Sequence, residues 1–213
     1  MTVLKKFILL IPVLLFAVNA QAQNSADKSA KKVRKFAEFK QGDIEFKAGV
    51  GMLPTFLNEE SRILTQPVQA TLGYRFNPVF SVNAYAGYSG TLGGVVEYLD
   101  GSSYQSQNDF LVLGLRAEAH MVRFENIDVY GGMMLAYNKP FVTTTQITAP
   151  DATHTPSDAN APKPSPYNPN GAKNNLLVGG FVGAAYYITP HISAFGEVGY
   201  GVSVITIGAG YKF

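Results

Sequence analysis

The stretch IEFKAGVGM, residues 44–52, alternates without exception between an apolar side chain and a polar side chain or glycine. Successive side chains of a β-strand point to opposite faces, so this stretch predicts a strand with one apolar face and one charged face. Charged residues make up 15% of the chain and hydrophobic residues 46%. This balance argues against a disordered chain. The charged fraction is also lower than the roughly 25% that is typical of soluble domains.

The same pattern recurs in seven later segments, which predicts eight strands. Six of these segments alternate as the first one does, and they lie at 68–76, 80–88, 111–119, 127–137, 192–200 and 205–213. The remaining segment, 176–188, is apolar on both faces. An internal match between 74–88 and 186–200 sets its register and predicts which residues share its apolar face. These residues are Val178, Val182, Ala184, Tyr186 and Ile188.

An alternating strand fits a soluble barrel, whose apolar face points inward, and also a membrane barrel, whose apolar face points outward. Each apolar face covers about five positions, which matches the ~9–11 residues that a tilted strand needs to cross a bilayer. Aromatic residues collect near both ends of the segments, as in the interfacial girdles of membrane barrels. We therefore predict an all-β fold, an eight-stranded antiparallel up-and-down transmembrane β-barrel. A soluble ligand-binding barrel is the alternative.

The charged faces of the strands then point into the barrel. Eight strands enclose an interior that side chains just fill, and an unpaired buried ion is prohibitively costly. Three acidic and three basic side chains near the strand centres balance one another, so we predict an interior charge network in which Arg116 pairs with Glu197. The network consists of Glu45, Lys47, Arg75, Arg116, Glu118 and Glu197. Five glycines are expected to leave room for the long Arg and Glu side chains: Gly49, Gly73, Gly87, Gly114 and Gly132.

Short turns and long connections alternate along the chain, as in an up-and-down meander. The short turns lie at 77–78, 123–126 and 189–190, where Pro or Asn supplies the turn chemistry. Long loops are predicted at 53–66, 90–107 and 139–173, and the last connection, near Gly201, is tight. Because the strands run up and down, the three long loops are expected at one end of the barrel.

The N-terminal region carries different signals. Residues 1–22 combine two lysines, an apolar run at 7–18 and a small-x-small site at 20–22, which predicts a secretory signal peptide rather than a membrane anchor. Residues 23–42 hold six basic and two acidic residues. We interpret this segment as a basic periplasmic tail, a solvated linker that precedes a barrel domain at 43–213. The chain has no cysteine, which excludes a disulfide scaffold and a cysteine nucleophile.

Three segments carry a resemblance to a known family: 45–52, the Gly-Tyr-Gly at 199–201, and ITIGAGYKF at 205–213. They resemble the OmpA/OmpX-type eight-stranded outer-membrane barrels, which include many small chains called porin family or outer membrane protein β-barrel domain. The resemblance covers about residues 43–213 and implies a location in a Gram-negative outer membrane. It also implies a C-terminal signal for the β-barrel assembly machinery, formed by Ile205, Ile207, Ala209, Tyr211 and Phe213. The basic tail is a departure from the family pattern.

The sequence contains few candidates for catalytic, metal-binding or cofactor-binding residues. Its three histidines, His120, His154 and His191, lie too far apart to predict a metal site, and no phosphate-binding loop precedes a helix. No cofactor or metal is therefore expected. His191-x-Ser193 would place an imidazole and a hydroxyl on one face of a strand, and some outer-membrane lipid A deacylases use such a pair. Because the pair follows a turn at the predicted periplasmic end, we interpret it as polar turn residues and expect no enzyme activity.

The function that these features predict is a structural or surface-binding role, in adhesion or envelope integrity, through extracellular loops. A barrel with a filled interior cannot act as a general diffusion pore. The alternative is an outer-membrane channel or transporter for a small solute or hydrophobic ligand, and a lipid-modifying enzyme is a third hypothesis. The predicted partners are outer-membrane lipids, the β-barrel assembly machinery and an unidentified loop ligand. Nucleic acid is not expected, because the chain carries an export signal and no recognition motif.

Overall fold

A computed structural model describes residues 39–57, 61–97, 101–148 and 175–213. These residues form eight strands: β1 (Ile44–Gly51), β2 (Arg62–Arg75), β3 (Phe80–Glu97), β4 (Ser103–Arg123), β5 (Ile127–Thr148), β6 (Asn175–Tyr187), β7 (Ile192–Gly199) and β8 (Ile205–Lys212). The predicted signal peptide and most of the predicted tail lie outside the described residues. Within the described ranges, no helix is long and apolar enough to cross a membrane.

The eight strands close into a single antiparallel barrel in sequence order. Closure is visible at Ala48 of β1, which pairs with Ala70 of β2 on one side and with Ala209 of β8 on the other. A closed barrel pairs the backbone N–H and C=O groups along both sides of every strand, which hydrocarbon requires because each unpaired group costs several kcal/mol there. The predicted all-β, eight-stranded fold is confirmed.

The apolar faces of the strands point outward. Leu113, Leu115 and Ile207 are each more than half exposed, whereas Arg116 and Glu197 are buried inside the barrel. The register of β6 also follows the prediction. The predicted apolar face is exposed, and it consists of Val178, Val182, Ala184, Tyr186 and Ile188. Large side chains between them, such as Leu177, Phe181 and Tyr187, are buried in the interior. The outer surface is therefore suited to lipid, and the polar side chains fill the interior.

The predicted long loops were too wide. The structure continues β3 to Glu97, begins β4 at Ser103 and extends β5 to Thr148, so most of 90–107 and the first part of 139–173 are strand. Strand β2 likewise begins at Arg62, inside the predicted loop 53–66. These parts lack a clean period of two because they lie beyond the apolar belt, the band of outward-facing apolar side chains formed by 44–52, 68–76, 80–88, 111–119, 127–137, 176–188, 192–200 and 205–213. Lipid no longer imposes an apolar face there. Backbone pairing alone maintains them as strands.

The barrel has a short-turn end and an extended end. The short-turn end carries the turns at 76–79, 124–126 and 188–191, together with the start of β1 and the end of β8. The extension, at the opposite end, comprises 89–97, 103–110 and 139–148, where β3, β4 and β5 run past the apolar belt as paired strands. The two ends therefore differ in both length and composition.

Candidate functional site

Glu197 of β7 lies at the centre of the barrel interior and is 5% exposed. One carboxylate oxygen lies 3.0 Å from Arg116 Nη1 and accepts a hydrogen bond from Gln69 Nε2 at 3.0 Å. The other oxygen accepts from Tyr130 Oη at 2.9 Å and from Arg116 Nη1 at 3.3 Å. Because β4 and β7 are not neighbours in the sheet, the Arg116–Glu197 contact crosses the interior.

The Arg116 guanidinium also lies between two aromatic rings. Its Cζ is 4.5 Å from the ring centroid of Tyr85 and 4.2 Å from that of Phe181. Tyr85 Oη in turn donates to Gln69 Oε1 at 3.1 Å and accepts from the backbone N–H of Val202 at 3.0 Å. The central charge pair is thus fixed by packing on both sides, and its network reaches the connection between β7 and β8.

A second charged group surrounds Lys47 of β1. Lys47 Nζ lies 3.4 Å from Glu118 Oε2 and 3.8 Å from Glu45 Oε2, and it sits 3.9 Å from the ring centroid of Tyr130. Glu45 Oε2 is also 3.9 Å from Arg75 Nη2. The structure therefore places all six of the predicted charged residues in the interior, each with an opposite charge within 4 Å.

Sequence reasoning missed how space is made for these groups. The predicted glycines do not mainly serve the Arg and Glu side chains: a Cβ at Gly73 would meet Asn83, and one at Gly87 would meet Tyr85 and Val202. Gly183 has that role instead, because its Cβ would come within 2.8 Å of both Glu197 Cγ and Tyr130 Cζ. Its position in a segment that is apolar on both faces concealed the function.

The short-turn end of the interior is closed by Phe39, which belongs to the predicted tail yet is only 4% exposed. Its ring centroid lies 3.6 Å from Arg75 Cζ and 4.7 Å from Lys212 Nζ, and it meets the Tyr187 ring edge-on at 5.4 Å. Interpretation of this segment as a solvated linker is therefore wrong at Phe39. The available signal was the presence of two phenylalanines, Phe36 and Phe39, within an otherwise basic stretch.

The opposite end of the interior is covered by the segment between β1 and β2. Phe56 stacks on the buried ring of Phe110 with centroids 4.6 Å apart. Pro54 forms an isolated antiparallel bridge with Ser203, whose hydroxyl donates to the carbonyl of Leu53 at 2.7 Å. Side chains thus occupy both mouths of the barrel as well as its centre.

The predicted assembly signal lies on the outer face of β8 and the residue that follows it. Its five members, Ile205, Ile207, Ala209, Tyr211 and Phe213, are all exposed. The last two rings meet edge-on with centroids 5.0 Å apart. These side chains face outward on the strand that closes the barrel against β1.

His191 and Ser193, interpreted from the sequence as polar turn residues, are not brought together. His191 is exposed in the turn, and its Nδ1 lies 2.7 Å from the carbonyl oxygen of Lys212. Ser193 points into the barrel, and its hydroxyl has no hydrogen-bond partner among the described residues. A His-x-Ser catalytic pair is therefore contradicted, because the histidine precedes β7 and does not share the inward face of the strand.

A tyrosine pair on β6 provides a matched test of the interior network. Tyr187 Oη donates to Glu45 Oε1 at 2.6 Å inside the barrel, whereas its neighbour Tyr186 faces outward. Tyr187→Phe is expected to lower the free energy of unfolding by about 1.5–3 kcal/mol, because a buried hydrogen bond to a charged group is lost. Tyr186→Phe should change it by less than about 0.5 kcal/mol. Urea unfolding in lipid vesicles measures both, and equal effects would contradict the network.

Three solved structures of outer-membrane proteins are similar to this structure. The structure is similar to the outer membrane protein OprG from Pseudomonas aeruginosa, with 15% sequence identity and a TM-score of 0.54 over 83% of this chain and 98% of that one. The outer membrane protein AlkL in lipid bilayers gives 16% identity and 0.47 over 91% and 97%. Ail, the attachment invasion locus protein of Yersinia pestis, in complex with the heparin analogue sucrose octasulfate, gives 12% and 0.44 over 81% and 99%.

No family model and no curated protein matches the sequence. The likeness to OprG supports the eight-stranded barrel architecture. Because the two sequences are only 15% identical, it concerns the fold alone.

Proposed function

We propose that the chain is an integral protein of a Gram-negative outer membrane, and that its extension has a non-catalytic role in adhesion or envelope integrity. The short-turn end then lies in the periplasm and the extension lies outside the cell. The observation that carries the proposal is the filled interior: the Arg116–Glu197 pair at its centre, Phe39 at one mouth and the Phe56–Phe110 stack at the other. A barrel filled in this way leaves little space through which a solute could diffuse.

The extension has the chemistry of a neutral binding surface. Its strands are rich in Ser, Thr, Asn and Gln, and only three of its residues carry charge, namely Glu97, Asp109 and Lys139. Side-chain hydrogen bonds order it, including Ser106 Oγ to Thr144 Oγ1 at 3.0 Å. Exposed apolar side chains such as Phe141 and Ile147 are interspersed. We infer a partner that is recognised by hydrogen bonds and apolar contact rather than by charge.

A shortened chain separates the role of the extension from that of the barrel. Replacing 93–106 by a two-residue Asn-Gly turn joins the paired residues Leu92 and Gln107, removes the tip of the β3–β4 hairpin and leaves the apolar belt of both strands intact. Cells that carry the full chain, the shortened chain or no chain are then compared for surface adherence and for detergent sensitivity. The proposal predicts that the shortened chain behaves like no chain, although it still folds, as shown by migration on unboiled gels.

Two results would contradict this role. Shortened-chain cells that adhere and resist detergent as well as cells with the full chain would assign the function to the barrel itself. Reproducible single-channel conductance of the purified chain in a planar bilayer would favour the channel alternative, because the filled interior predicts a silent membrane.

We also propose that residues 205–213 are recognised by the β-barrel assembly machinery, and that outer-membrane lipids cover the apolar belt. Support for the first comes from the outward position of Ile205, Ile207, Ala209, Tyr211 and Phe213 on the strand that closes the barrel.

A further inference from the structure

Three polar side chains meet at the short-turn end of the interior, one from each of three consecutive strands. Ser81 is the second residue of β3, Asp128 is the second residue of β5, and His120 lies on β4 between them. All three are at least nine-tenths buried. None of them belongs to the six-residue charge network that the sequence predicted.

Their contacts form a continuous chain. Asp128 Oδ2 lies 2.6 Å from His120 Nδ1, and Ser81 Oγ lies 3.1 Å from His120 Nε2. Because a carboxylate only accepts hydrogen bonds, the contact with Asp128 assigns the proton to Nδ1, which leaves Nε2 of a neutral imidazole to accept from the serine hydroxyl. This is the connectivity of a nucleophile, a general base and an orienting carboxylate.

The three residues are held on rigid elements, which is how a reactive group keeps its geometry. The backbone N–H of His120 donates to the carbonyl of Val79 at 2.7 Å, which ties β4 to the turn before Ser81. Two charged groups also approach the imidazole. Arg75 Nη2 lies 3.4 Å from Nδ1, farther than the Asp128 oxygen, and its charge opposes a charge on the ring. Glu118 Oε2 lies 3.9 Å from Nε2 and, together with Asp128, would stabilise the imidazolium that forms when the serine proton is taken.

Phe39 occupies a site for an apolar group beside these three hydrogen-bonded side chains. The Phe39 ring lies 5.8 Å from the His120 ring and is flanked by Arg75 and Lys212. A group that replaced Phe39 would lie next to the ring of His120, the partner of Ser81, and against two cations. Two cations beside a reacting carbonyl stabilise the negative charge that develops on its oxygen.

We propose that Ser81 is a nucleophile toward apolar acyl esters that enter from the short-turn end when Phe39 withdraws. Ser81 Oγ bonds to the carbonyl carbon while its proton passes to His120 Nε2. The C–O bond of the ester breaks, and the leaving alcohol takes the proton from His120. Water then attacks the acyl-serine with His120 as base, which releases the carboxylic acid and restores Ser81. This inference goes beyond the surface role proposed above and does not depend on it.

Ser193 is a matched internal control. It is as deeply buried as Ser81, with 1% exposure against 5%, and it is the second residue of β7 as Ser81 is the second residue of β3. Its hydroxyl, however, has no hydrogen-bond partner within the described part of the chain. A reagent that merely reaches the interior would treat the two serines alike, whereas activation by His120 would select Ser81.

The test treats the folded full chain with a fluorophosphonate, which phosphonylates activated serines with loss of fluoride, and locates the label by peptide mass spectrometry. The label is expected on Ser81 and not on Ser193. Phe39→Ala should raise the labelling rate by about 10-fold or more, and His120→Gln should lower it by about 100-fold, in line with the usual contribution of a general base. Hydrolysis of p-nitrophenyl butyrate should follow the same order.

Migration on unboiled gels verifies that each variant is folded, and Phe39→Leu replaces Phe39→Ala if the latter does not fold. The proposal is overturned if Ser81 is labelled no faster than Ser193 in both the unaltered chain and the Phe39 variant. It is also overturned if His120→Gln leaves the labelling of Ser81 unchanged, because Ser81 would then be accessible but not activated.

Discussion

Glu197→Gln is expected to lower the free energy of unfolding by about 3–5 kcal/mol, the usual effect of removing one partner from a buried ion pair. The amide has nearly the same shape as the carboxylate, so packing is preserved and charge is the main change. Arg116 then loses the carboxylate that lies 3.0 Å away, and its charge stays buried between two aromatic rings. Reversible urea unfolding in lipid vesicles gives the value.

Two further variants control for this result. Arg116→Met combined with Glu197→Gln removes both charges and should recover most of the loss, because a buried pair contributes little beyond its apolar replacement. Asp109→Asn changes a carboxylate that accepts hydrogen bonds from Tyr88 and Gln107 at the edge of the belt. It is only partly buried, so an effect below about 1 kcal/mol is expected. A loss below 1 kcal/mol for Glu197→Gln would show that water reaches the pair.

Leu135→Arg is expected to lower the free energy of unfolding by about 2 kcal/mol, because it puts a charge on the lipid-facing side inside the apolar belt, between the membrane middle and the belt's end near Tyr137. Phe141→Arg is the matched control. Both residues face outward from β5, with similar exposures of 53% and 47%. They lie six positions apart, about 20 Å along the strand, so Phe141 falls beyond the apolar belt. Its replacement should change stability by at most about 1 kcal/mol.

The contrast between these two positions distinguishes a membrane barrel from a soluble one. In water, both side chains would be exposed surface residues, and arginine would be tolerated equally at each. Unfolding measurements in the same vesicles, with both variants side by side, provide the comparison. Equal effects at 135 and 141 would contradict the assignment of an apolar belt that ends near Tyr137.

The sequence was most informative where the bilayer constrains it. Lipid demands an apolar side chain at every second position, so all eight strands and their inward and outward faces could be predicted, including β6 once Tyr186 was matched to Tyr74. Beyond the belt this demand ends. The strands of the extension therefore looked like loops, and only backbone pairing such as Asp109 with Phe141 identifies them.

The interior could be predicted in composition but not in geometry. Charge balance suggested that Arg116 and Glu197 belong together, and the structure brings them to 3.0 Å. That Glu197 also accepts hydrogen bonds from Gln69 and Tyr130 depends on how far the strands are staggered around the barrel, which no local pattern records. The position of Phe39 and the Ser81–His120–Asp128 chain depend on the same long-range geometry.

A nitroxide scan of β5 measures most directly whether apolar side chains face lipid while charged ones face the interior. The chain has no cysteine, so single cysteines at 130–142 can be labelled without background. Collision with oxygen, which dissolves in hydrocarbon, should peak at 133, 135 and 137 and fall at 132, 134 and 136, and contact with a water-soluble nickel reagent should rise beyond 139. Oxygen contact at the even positions, or nickel contact at 133–137, would contradict the account.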